Sequence, residues 1–241
     1  MLSANEEHML IRPLLWASIA IALAMVGRSS AQDARFPRPN PKPLLPLLQV
    51  LDSANASGSL EVSEACSSKR YPQFPQLGQK TGDSALAMLG EMLSSNRGFR
   101  VTRDSNEIFR IIGPEVPTDF LNIRISHITF EDYKHNGIFS PNAAMWSVLA
   151  APEVVAFFKN NGIEGPFPLE FISGGLAWPP DSPHISGSLD NVSVEEVLDR
   201  ILQTFLGVWF YGNCTQDEKH KRAVFLRFYR FEKTLNRVIG M

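Results

Sequence analysis

The sequence contains only two cysteines, Cys66 and Cys214, and no Cys-x-x-Cys pair. That excludes a cysteine-built zinc cluster and a thioredoxin-type redox site. Excess charge of either sign is also scarce. The formal net charge is −2, so the basic footprint of a nucleic-acid binder is missing. No Walker loop, Gly-x-Gly-x-x-Gly turn, His-Glu-x-x-His helix or Gly-x-Ser-x-Gly elbow occurs. The common local signals for nucleotide, metal and acyl-transfer chemistry are therefore absent, and no cofactor is implied. Beyond Val26 no apolar run approaches the length that crosses a hydrocarbon layer about 30 Å thick.

The one long apolar run lies near the start. Leu14–Val26 is interrupted only by Ser18, follows Arg12 and precedes Ser29 and Ala31. It is too short to span a membrane and fits the core of a secretory signal cleaved after Ala31. Glu6 and Glu7 suit a positive leader poorly, whereas translation from Met9 gives Met-Leu-Ile-Arg-Pro. An uncleaved membrane anchor is the alternative reading. Export is the expectation, with Gln32–Met241 working in the periplasm or outside the cell and meeting a membrane only through the signal. In that oxidising setting Cys66 and Cys214 are candidates for one disulfide closing a long loop. Two free thiols or an intermolecular bridge are the alternatives, because spacing does not bring two sulfurs together.

After the signal (residues 1–31) comes a proline-rich linker (32–48), where proline at nearly every second position of Arg35–Pro46 reads as an extended spacer. A first α+β unit is expected over 49–117. There Asp83 or Ser84 caps a helix over Ala85–Leu93 with Leu86, Leu89 and Leu93 on one face. Two strands follow, Phe99–Arg103 and Ile108–Ile112, around a turn at Asp104–Asn106. Residues 118–180 connect, with a strand from Leu121 to His127, a helix opened by Pro141 and a second helix from Pro152 through Phe158.

The last unit, 181–241, has the clearest pattern. Ser193 and Glu196 have capping-box spacing. Val194, Val197, Leu198, Ile201, Leu202 and Phe205 make one broad apolar face. Gly207 is the expected helix stop, and Val208–Tyr211 and Val224–Tyr229 read as a hairpin. The fold class is α+β, built of small helix-plus-hairpin (βαββ-like) units in two related copies with a helical connector.

On Ile185, Gly187, Leu189, the Asn191-Val-Ser-Val-Glu-Glu196 run, Leu198, Ile201, Leu202 and Gly207, the last quarter of the chain resembles the secretin and TonB short N-terminal domain. The Asp83–Ile112 unit resembles it loosely. The resemblance implies a small two-layer sandwich of strands and helices that engages partner proteins at the entrance of outer-membrane secretins and receptors. Hosts of that domain continue into a pore or barrel, whereas this sequence stops at Met241. What it implies here is an interaction module, with no catalytic residues to carry over.

Among the histidines, His127 and His135 lie near Glu131 and Asp132, but a strand-end and a loop histidine beside acids explain them more simply than a metal site. Glu195, Glu196 and Asp199 read as a solvated helix face favoured by the helix dipole. The hairpin aromatics carry the docking expectation. Trp209, Tyr211, Phe228 and Tyr229 would form an apolar patch if one face stays open, and an open edge would accept a partner strand. The expected function is an exported, non-enzymatic protein-binding module, its partner another envelope or secreted protein. The competing reading is a secreted hydrolase with a His/Ser/Asp site assembled from distant residues, involving His127 or His184.

Overall fold

The computed structural model describes residues 44–63, 72, 74–75, 84–94, 96, 98–131, 137–163, 182–216 and 221–231. The expected signal segment (1–31) and residues 32–43 of the expected linker lie outside these. The described residues all fall in one compact unit spanning Asn40–Met241.

Helix α1, Leu45–Ser53, begins inside the stretch expected to be an extended spacer. Pro46 sits in its first turn, where the missing N–H has no partner to lose. Leu47, Leu48, Val50 and Leu51 are buried, so packing decides the conformation of this segment. Strand β1, Gly58–Ser63, follows. Helix α2, Ala85–Ser94, is capped by Ser84, whose Oγ accepts from the Ala87 N–H at 3.3 Å. It buries Leu89, Met92 and Leu93, whereas Leu86, expected on the buried face, is 46% exposed.

Strands β2 (Arg100–Arg103) and β3 (Phe109–Ile112) form the first hairpin. Strand β4, Arg124–Phe130, precedes helices α3 (Pro141–Leu149) and α4 (Pro152–Asn160). Strand β5 (Gly187–Ser193), helix α5 (Val194–Phe205) and strands β6 (Gly207–Gln216) and β7 (Lys221–Arg230) complete the described chain.

The α+β class holds, with both hairpins in one five-stranded sheet of order β2-β3-β1-β6-β7. Strand β1 lies parallel to both β3 and β6. The two helix-plus-hairpin units share their element order but not their placement. In the first unit the second strand lies next to β1, and in the other it is the first strand. Strands β4 and β5 make a separate two-stranded antiparallel sheet.

Helices cover both faces of the large sheet. Helices α1 and α2 close a core with Leu60, Val62, Phe109, Ile111, Val208, Phe210 and Tyr229. On the opposite face, α3 contacts β7 and β4 while α5 contacts β6 and β5, so these helices lie between the two sheets. Among the described residues no helix is long and apolar enough to cross a membrane.

Candidate functional site

The expected aromatic patch is not a surface. Trp209 and Tyr211 are 0% exposed, Phe228 6% and Tyr229 7%. With helices on both faces, alternate residues of β6 and β7 each find a core. Trp209, Tyr211 and Phe228 pack with α3 and α5, and Tyr229 packs with α1 and α2.

Tyr211 also anchors a polar chain. Its ring stacks on Phe120 at 5.5 Å and its hydroxyl donates to the Pro117 carbonyl at 3.0 Å. The same hydroxyl accepts from Asn213 Nδ2 at 2.8 Å, and Arg222 Nε donates to Asn213 Oδ1 at 3.0 Å. Arg222 grips both Asp119 oxygens at 2.5 Å each. That bidentate pairing holds the Asp119 carboxyl below its ordinary range. These groups join β6 and β7 to the 113–123 connection and serve the fold. Cys214, beside them on β6, is buried and disulfide-bonded, while Cys66 lies outside the described residues.

The notable buried polar cluster lies elsewhere and was not anticipated. Alternation along β1 sends Leu60 and Val62 into the α1–α2 core and turns Ser59 and Glu61 toward α5. Ser59 is 0% exposed, Glu61 2% and Arg110, on neighbouring β3, 8%. Ser59 Oγ donates to Glu61 Oε1 at 3.1 Å. Arg110 Nη2 donates to Asp104 at 3.1 Å and to Asp199 of α5, and its Nε lies 3.7 Å from Glu195. Trp209 Nε1 donates to the other Asp199 oxygen at 3.3 Å, with the Arg110 guanidinium 5.5 Å from the indole centroid.

Three carboxyl groups thus contact one guanidinium, with Glu61 buried on the neighbouring strand. Burial, then Glu195, pushes the Glu61 carboxyl up to about 7. Burial likewise raises Asp199 and Glu195 against the pull of Arg110. The expectation of a solvated acidic face therefore holds for Glu196, which closes the capping box and pairs with Arg124. It fails for Asp199, whose side chain is 13% exposed. The overlooked signal was a charge at the same alternation phase in two apolar strands, Glu61 in Leu-Glu-Val and Arg110 in Phe-Arg-Ile.

His127 meets Asp190 and Thr129 on the open face of β4–β5. Its Nδ1 lies 2.5 Å from Asp190 Oδ1, directly across the strands, and its Nε2 lies 3.0 Å from Thr129 Oγ1. The His127 and Asp190 side chains are 58% and 74% exposed. His184 stands apart, its ring 5.0 Å from Phe139. His135 and Asp132 lie outside the described residues, among which no three His, Cys, Asp or Glu side chains converge as a metal site.

Strand β7 is the remaining feature. It pairs with β6 along one side, and among the described residues no strand pairs with its outer side. Its ten residues include Lys221, Arg222, Arg227 and Arg230 and no acid. Arg222 is engaged by Asp119, Arg227 is half-buried and Arg230 is exposed. No family model, curated protein or solved structure matches the chain.

Proposed function

We propose that this chain is an exported, non-enzymatic protein-binding module of the cell envelope that takes up an extended, acidic segment of its partner along β7. The outer side of a ten-residue sheet edge carries this reading. Such an edge presents a row of backbone donors and acceptors to an added strand. The cations of β7 bias what pairs there. A second copy would bring like charges together, whereas an acidic strand meets complementary ones. The order β5, α5, β6, β7 is the one the likeness to the secretin and TonB short N-terminal domain implies, with β5 paired to β4 in the smaller sheet, and the apolar run at Leu14–Val26 is the ground for export.

Calorimetry with a ten-residue peptide alternating Asp and Val, set against its Lys and Val counterpart, tests the reading. Binding of the acidic peptide alone, weakened about tenfold by the Arg227→Glu/Arg230→Glu double substitution, is the expected outcome. Equal binding of both peptides, or of neither, would overturn it.

A second reading rests on the Asp190–His127–Thr129 chain, which has the carboxylate–imidazole–hydroxyl order of an acyl-transfer site. It requires ester hydrolysis that disappears in Thr129→Ala, and a full rate in that variant would remove it.

A further inference from the structure

We propose that Glu61 and Arg110 form a proton-operated latch between the large sheet and helix α5. The geometry places one guanidinium where several carboxyl groups compete for it. From α5 come Asp199 and Glu195, and from the turn before β3 comes Asp104. From β1 comes Glu61, held by Ser59, and from β6 come Trp209 and the Glu61 register partner Tyr211. Arg110 sits opposite Ser59, two residues along the same strand face from Glu61. Its Nη1 is buried and has no hydrogen-bond partner among the described residues.

A protonated Glu61 is neutral and leaves Arg110 to Asp199, Asp104 and Glu195, which fastens α5 to the sheet. Ionised Glu61 adds a buried negative charge that repels the Glu195 and Asp199 carboxylates of α5. The bond between sheet and helix then weakens, and with it the Asp199 contact that holds the Trp209 indole. Because burial moves Glu61 to about 7, the change falls near neutral pH, with the latch closed on the acidic side.

The test is an NMR titration of the folded protein from pH 5 to 9, following the Trp209 indole N–H and amide exchange along α5. The indole resonance should move with a midpoint near 7. Intrinsic-rate-corrected exchange in α5 should quicken about tenfold across that midpoint. Glu61→Gln should abolish both changes while keeping the indole bond to Asp199. A direct carbon titration of the Glu61 carboxyl in the unsubstituted protein stands independently of how that variant folds. A Glu61 midpoint below 5, a static Trp209 signal, or an unchanged midpoint in Glu61→Gln would each overturn the proposal.

Discussion

Among the described residues, Glu61 has the carboxyl displaced furthest from its ordinary titration range. Its carboxyl titrates at about 7 in the folded chain against 4.5 when free. The folded state therefore holds a proton that the unfolded state has released. The associated stability is fully present below pH 4.5 and is lost as pH rises to about 7. The shift corresponds to roughly 3 kcal/mol. Glu61→Gln should therefore lose the decline between pH 5 and 7, as measured by chemical denaturation across pH, while the unsubstituted protein shows it. Asp119, Glu153 and Glu196 are shifted downward by their hydrogen-bond partners, so they contribute stability that is lost on acidification. Thermal stability should peak in the mildly acidic range.

Leu206 and Gly207 show how one residue's role can pass to its neighbour. The sequence pattern assigns the helix stop to Gly207. In the structure Leu206 takes φ 50°, at 43% exposure, and ends α5. Gly207 is needed for another reason, since a Cβ there would lie 2.2 Å from the Tyr229 carbonyl and 2.7 Å from the Phe228 ring. Leu206→Gly should raise the melting temperature by relieving a left-handed conformation worth about 1 kcal/mol. Gly207→Ala should lower it by forcing β6 and β7 apart. The reverse ranking would mean that the helix ends differently.

At the scale of elements, α5 was readable because local rules and tertiary packing agree. All six residues of its apolar face are buried, and Ser193 and Glu196 make the reciprocal capping bonds at 3.1 and 2.6 Å. Ser193→Ala should cost about 1 kcal/mol in denaturant unfolding. Helix α1 was unreadable because Pro46 and the prolines before it argue for extension, while the packing that makes it a helix comes from α2 and β6, far along the chain. The placement of Leu86 failed for a related reason. Helical spacing finds a stripe, and only the packing surface sets its centre, which falls on Leu89, Met92 and Leu93.

For the whole molecule, the two hairpins were visible and their union was not. Parallel pairing of β1 with both β3 and β6 leaves no local mark, since it joins segments separated by long stretches of chain. That union buries the hairpin aromatics from both sides and converts an expected docking patch into two cores. It also brings Glu61, Arg110 and Asp199 together, which explains why their cluster escaped a linear reading. Among the described residues the outer side of β7 is left without a strand partner, and the proposed docking uses that edge.

Amide hydrogen exchange of the protein with and without the acidic strand peptide tests that central claim most directly. Exchange should slow at alternate residues of Lys221–Arg230, where outward N–H groups gain acceptors, and remain unchanged in β2 and β4. Unaltered exchange along β7, or protection confined to another element, would contradict docking at this edge.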